Sequence, residues 1–384
     1  MSIKLQSIYQ SMNHMYHCRL VAAKSGLDNI VSWIHFIEDT STISDFLRPG
    51  ELVVTTGICY TGAPWLYDLI GTLHRYGACG LVVNVGEYIA EIPKEIIGYC
   101  ETIHFPIFTF PWEIHVVDVI QSCSAQILNA NQADDTVATA FQNFIFSPGS
   151  APLYFPILKK YHYEPDDEYQ VIVVGNGEPS KFNVEMEFAI RNLACHFFPS
   201  YNAFFRENQL IIVLKQPEKT VCQEMADRIV SFFQHSCKTF LNVGVGTAVP
   251  GVTLLPASYK KALAALHFSS NNRISPAFYD SMGLNRLFYS LDDFTAVSEI
   301  CRSQLGALEE YDQRHHTDYI HTFRLYLKYN ESVQKVADAT FTHRNTVNYR
   351  IAKIKKILGC GFETMEERFP YEVAFYCRDI IGKG

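Results

Sequence analysis

The stretch THRNTVNYRIAKIKKIL, residues 342–358, holds Arg344, Arg350, Lys353, Lys355 and Lys356 and no acidic residue, in a chain of formal net charge -8. These residue types suit one kind of chemistry. Guanidinium and amide groups make bidentate hydrogen bonds to base edges, and ammonium groups neutralise phosphates. At 100° per residue, Val347, Ile351, Ile354 and Leu358 share a narrow helical arc, with Asn345, Asn348, Tyr349, Ala352, Lys353 and Lys356 opposite. One face is core; the other is basic and amide-rich. Thr342 is placed to cap the helix.

Position decides whether such a helix reads DNA or is only a solvated face of a bundle. The preceding SVQKVADAT (332–340) has Val333, Val336, Ala337 and Thr340 at helical spacing, with Ser332 as cap. Phe341 and Thr342 alone separate the two segments, which makes a helix-turn-helix. The second helix of such a pair enters the major groove with its N-terminal residues at base edges. Arg344, Asn345 and Asn348 are expected near bases, and Tyr349, Arg350, Lys353 and Lys356 nearer the backbone. His343 opens the same helix, and Thr342 and Thr346 bind phosphate or cap. Charge supports the assignment: residues 318–358 carry a net +5, whereas the first 317 carry -11. A basic island on an acidic body implies one polyanion-facing element. A helix-turn-helix that contacts protein or RNA is the competing use.

Upstream, WIHFI (33–37), ELVVTTG (51–57), GLVVNVG (80–86) and HFPIFTF (104–110) read as strands. PWLYDLIGTLHRYG (64–77) and PKEIIGYCETI (93–103) read as helices, giving a mainly parallel α/β domain over 1–112. Ligands of open α/β sheets bind at strand C-termini. Thr55, Thr56, Gly57, Asn84 and Gly86 lie there, with Trp112 beyond the last strand and Arg48 and Glu51 before the second. Hydroxyls, an amide and an indole suit a flat, hydrogen-bonding metabolite, although TTG also serves as plain turn chemistry. In 113–146, Val116, Ile120, Cys123, Ile127, Ala130, Val137, Phe141 and Phe144 form a 4-3 seam broken at Asp134. Packing on its own domain and a parallel dimer helix both fit that seam. SPGSAP (147–152) marks a boundary. YQVIVVG (169–175), QLIIVLK (209–215) and FLNVGVGTAV (240–249) are the strands of a second domain over 151–283, with helices at about 181–197, 219–237 and 257–270. A helical connector at about 284–316 leads to the C-terminal segment.

Other chemistry is scarce. There is no GxxxxGK[ST], GxSxG or HExxH, and GVGTAVPG (244–251) departs from the dinucleotide fingerprint. HMYHC places His14, His17 and Cys18 near one another without a clear fourth ligand, so neither metal nor cofactor is expected. Cys59 suits a packing thiol or a redox sensor. The 11 cysteines are never spaced CxxC, which reads as reduced thiols in a cytoplasmic protein. No apolar run is long enough to span a bilayer.

LYLKYNESVQKVADATFTHRNTVNYRIAKIKKILG (325–359) resembles the C-terminal helix-turn-helix of the PucR/CdaR family of bacterial transcription regulators. RLVAAKSGLDNIVSWIHFIED (19–39), FLRPGELVVTTG, YGACGLVVNVG and FPIFTFPWEI resemble that family's purine-catabolism-regulator-like domain. VGVGTAVPGVTLLPASYKKALAALHF (243–268) resembles its GGDEF-like domain. The resemblance implies an α/β sensory domain, a linker helix (113–150), an α+β degenerate GGDEF-like domain and an all-α DNA-binding domain (284–384). It implies a dimeric regulator of double-stranded DNA that answers a small effector, one that is purine-derived in the purine-catabolism relatives. Threonines flank Phe341 where the family is usually apolar, and Phe341 replaces the glycine common in helix-turn-helix turns generally, a departure the family shares. A GGDEF enzyme needs a Gly-rich hairpin and metal-holding carboxylates. FFRENQLIIVL (204–214) has no GG pair and only Glu207, so no catalysis is expected. A nucleotide-handling enzyme with an accessory helix-turn-helix is the alternative.

Overall fold

The computed structural model describes residues 3–39, 47–176, 183–290 and 295–381. Two compact units result, Met1–Ser281 and Met282–Gly384. The first begins with α1 (Leu5–Tyr16), β1 (Arg19–Ala22), β2 (Trp33–Phe36), β3 (Glu51–Thr55), α2 (Ala63–Arg75), β4 (Gly80–Val85), α3 (Lys94–Ile103) and β5 (Ile107–Pro111). The sheet order is β1-β5-β4-β3-β2, with β2 to β5 parallel and β1 antiparallel at one edge. All of β3 is buried, as a parallel strand covered on both faces requires. Val53, Leu81, Val83 and Ile107 join the core with α2 and α3, while Leu52, Val54, Val82, Phe108 and Phe110 join that of α1. Sequence pattern does not announce α1 or β1. Lys4, a residue without a capping oxygen, stands at the N-cap of α1, and RLVA is only four residues long.

A helix of 31 residues, α4 (Val116–Phe146), follows. At 1.5 Å per residue it is about 46 Å long, enough to serve two cores. Cys123 and Ile127 of the expected seam are buried in the first sheet's core, and Val137, Phe141 and Phe144 in that of the second. The buried part of the seam is thus packed within the chain itself. Asp134, which breaks the seam, sits where the helix passes from one core to the other.

Next come α5 (Phe155–Lys160), β6 (Glu168–Asn176), α6 (Val184–Phe197), β7 (Tyr201–Arg206), β8 (Gln209–Lys215), α7 (Lys219–Ser236), β9 (Leu241–Val245), β10 (Val249–Pro250), α8 (Leu255–Asn272) and β11 (Ala277–Phe278). The start of the helix expected at 181–197 lies outside the described residues. This sheet runs β11-β9-β6-β8-β7, with β10 beside β6 and only β9–β11 parallel. Along β6, Ile172 and Val174 pack with α6 and α7, and Val171 and Val173 with α4 and α8, the two-residue period of a sheet covered on both sides. The glycines of GVGTAVPG have a packing reason. A Cβ on Gly244 would lie 2.2 Å from the Ala262 carbonyl oxygen, so α8 presses directly on β9.

The second unit comprises α9 (Asn285–Tyr289), α10 (Thr295–His315), α11 (Tyr319–Lys328), α12 (Val333–Ala339), α13 (Arg344–Leu358) and α14 (Met365–Ile381). Its core gathers Leu305, Leu308, Phe323, Val347, Ile354, Phe362 and Phe375. No helix of the described residues is long and apolar enough to cross a membrane.

Candidate nucleic-acid interface

The helix pair expected from the sequence is present. Ser332 caps α12, its hydroxyl accepting from the Lys335 N–H at 3.4 Å. Between α12 and α13 the Thr342 N–H donates to the Ala337 carbonyl at 3.0 Å and the Phe341 N–H to that of Asp338 at 3.4 Å. These two bonds are the paired closure of a Schellman turn, whose left-handed residue is Phe341 at φ 51°. The cap of α13 corrects the sequence reading. His343, not Thr342, is the N-cap, its Nδ1 accepting from the Asn345 N–H at 3.3 Å. Thr342 is half-buried, with its hydroxyl 2.8 Å from that of Thr340. A histidine ring nitrogen two residues from an amide reaches it as a serine oxygen would. The sequence alone favoured the threonine because hydroxyls dominate caps.

Val347, Ile351 and Ile354 are buried, which turns the rest of α13 outward. His343, Arg344, Asn345, Thr346, Asn348, Tyr349 and Lys356 are exposed on it. Arg350 and Lys353, expected along the backbone, are half-buried. Arg350 Nη1 lies 3.4 Å from the Thr322 hydroxyl, and the Lys353 ammonium sits 5.9 Å from the Tyr311 ring centroid. Elsewhere in the basic island, Arg324 is paired with Asp379. Among the described residues no ion pair engages Lys335, Arg344 or Lys356.

The residues expected around an effector fall in two places. Thr55, Thr56, Gly57, Asn84, Gly86 and Trp112 lie at the C-terminal end of the first sheet, where the threonine hydroxyls and the Asn84 amide nitrogen are already engaged. Glu38, which sequence reasoning missed, accepts from the Thr55 hydroxyl (3.0 Å), the Thr56 N–H (2.8 Å) and hydroxyl (2.6 Å), and the Ile58 N–H (3.3 Å). The Gly57 N–H donates to the Thr55 hydroxyl at 3.1 Å. The Asn84 amide donates to the Pro111 carbonyl at 2.9 Å. Trp112 closes on Gly86, where a Cβ would meet Trp112 Cβ at 2.5 Å. Arg48 and Glu51 lie at the opposite end of β3. They line an open cleft of about 1030 Å³ along edge strand β2 with Trp33, His35, Phe36 and, from the start of α6, Asn183 and Phe188. Glu51 is buried; its Oε2 accepts the Arg48 N–H at 3.2 Å and lies 3.0 Å from His35 Nδ1. Cys59, read above first as a packing thiol, is exposed, whereas burial pushes the Cys18 thiol up to about 12.

Three family models match the chain. Residues 9–127 match the purine catabolism regulatory protein-like family, 157–268 a GGDEF-like domain, and 319–377 the PucR C-terminal helix-turn-helix domain. Domains of the PucR type thus stand toward both ends of the chain, with a GGDEF-like domain between them. A purine catabolism regulatory protein of Bacillus subtilis is 32% identical over 114 residues, 29% of this chain and 21% of that one. The proline-responsive transcriptional activator PutR of the same organism is 25% identical over 171 residues, 42% of each chain. The chain thus spans less than half the length of these relatives. A solved regulator of polyketide synthase expression from Bifidobacterium adolescentis aligns at 15% identity and TM-score 0.30, over 62% of this chain and 95% of that one. In the GGDEF-like domain, β7 and β8 are joined by Glu207 and Asn208, both at positive φ (49° and 62°), a two-residue type I′ turn. Glu207 lies 3.5 Å from Arg206, which stacks 3.6 Å from the Phe146 ring centroid.

Proposed function

We propose that this protein is a sequence-specific, DNA-binding transcription regulator that answers a small molecule. One observation carries the reading. Arg344, Asn345, Asn348 and Lys356 stand exposed on a helix anchored by the opposite face and preceded by a tight turn. That combination presents donors to a groove while fixing the helix that bears them. Binding to the protein's own upstream promoter duplex, against random duplex across a salt series, tests it. A specific complex whose log affinity falls steeply with log salt is expected; equal, weak binding to both duplexes would argue against it.

The middle domain is read as non-catalytic, because its hairpin offers one exposed acid and no glycine pair for a nucleotide phosphate and its metal. Incubation with nucleoside triphosphates and Mg²⁺ should give no turnover. The cleft beside β2 is the effector site this reading favours, since the exposed Arg48 side chain offers donors beside the exposed rings of Trp33 and Phe36. The PucR relative's name suggests a purine-derived effector and that of PutR suggests proline; a metabolite panel added to the DNA-binding assay separates them. A homodimer, in the cytoplasm, completes the proposal.

A further inference from the structure

The side chain at the centre of the helix-turn-helix turn is out of place on every structural ground. Phe341 is 97% exposed, the most exposed large apolar side chain of the described residues. Its φ of 51° is one that glycine adopts freely and a bulky residue avoids. The turn does not need the ring. Its closure is made by the backbone bonds to Ala337 and Asp338 and by the threonines on either side, Thr340 donating to the Val336 carbonyl at 2.8 Å and meeting Thr342. A strained, solvent-facing aromatic with no packing role points to a partner outside the fold. Phe341 stands three residues before Arg344, the first residue of α13, beside His343 and Asn345. If α13 docks with its N-terminal residues at base edges, the ring lies at the mouth of the same groove.

We propose that Phe341 is a DNA-contacting residue that buries its ring on the apolar surface a groove offers, the thymine 5-methyl group or the deoxyribose face. Phenylalanine against a thymine methyl is a recognised apolar contact of direct readout. The inference rests on the DNA-binding reading above. It adds a component that charge cannot supply, one sensitive to sequence and insensitive to salt.

Phe341→Gly is the informative variant, because glycine suits the left-handed residue of a Schellman turn. The full chain should melt at the same temperature or higher. Its affinity for the promoter duplex should fall about five- to tenfold, with a salt slope equal to that of the wild type because no charge is removed. Phe341→Leu should restore most of the affinity. Thymine-to-deoxyuridine substitution in the duplex separates the two contacts. Weakening of the wild type but not of Phe341→Gly assigns the ring to a methyl group, and no weakening assigns it to sugar. Promoter affinity unchanged in Phe341→Gly would overturn the inference, as would a loss of affinity that tracks a lowered melting temperature and is not restored by leucine. A wild-type chain that binds neither duplex would instead bring down the DNA-binding reading itself.

Discussion

Asn345 and Lys356 are both exposed on α13, and their chemistry assigns them different effects. An amide makes a bidentate pair with adenine, so Asn345→Ala should cost about 1–3 kcal/mol on one specific sequence while sparing random duplex. Equal losses on both duplexes would remove Asn345 from base reading. In the proposed complex, an ammonium at the far end of the helix meets phosphate rather than a base edge. Lys356→Ala should therefore weaken both complexes alike and lower the salt slope by about one contact. Glu38 has the opposite character, since its carboxylate holds the loop after β3 together through four donors. Glu38→Ala leaves the groups of buried Thr55 and half-buried Thr56 unmatched and should destabilise by about 2–3 kcal/mol, read in chemical denaturation. A variant as stable as the wild type would show that water replaces the carboxylate there.

At the scale of elements, α4 is where one helix belongs to two sheets, and Asp134 marks the crossing. Its Oδ1 accepts from the Asn202 amide at 2.7 Å, and its Oδ2 lies 3.3 Å from Arg191, which also pairs with Glu187 at 2.7 Å and donates to the Ala203 carbonyl at 2.5 Å. Removing one member of a largely buried ion network strands the others, so Arg191→Ala should cost about 3–5 kcal/mol. Asp134→Ala in the same background should then add less than it costs alone, because the two share partners; strict additivity would show that α4 and α6 are not joined through this pair. The helix itself was legible in the sequence, from Val116 to Phe144, because the apolar period persists across both cores. Which sheet each half covers was not, since a 4-3 spacing is the same whether the partner is a sheet or another helix. The strands around Val53 and Val173 were equally plain as continuous apolar runs bounded by turns. β7 was hidden because FFRENQ reads as the approach to a hairpin, and its partner β8 defines it only in space. At the candidate interface the residue types and their helical face were readable in advance. That Arg350 and Lys353 lean on Thr322 and Tyr311 depends on where α10 and α11 pack, which no local pattern reports.

On the scale of the whole molecule, the basic helix belongs to a unit with its own apolar centre, distinct from the two sheets of Met1–Ser281. Phe362 is fully buried in that centre and packs against Phe323 at 4.7 Å and Tyr371 at 5.3 Å between ring centroids. Phe323 in turn meets Phe375 at 5.7 Å, so four rings from α11, the loop before α14 and α14 itself form one cluster. Truncating a fully buried phenylalanine removes its transfer free energy and leaves a cavity, together about 3–5 kcal/mol. A unit of about a hundred residues has little more stability than that to lose. Phe362→Ala should therefore speed hydrogen exchange throughout α10 to α14 and abolish promoter binding, although Phe362 lies on neither α12 nor α13. Exchange in β3, β4, β6 and β8 should stay as in the wild type, because their cores contain none of these rings. Faster exchange in those strands as well would show that the two units fold as one cooperative body, and that the acidic sheets and the basic helix share stability as well as a chain.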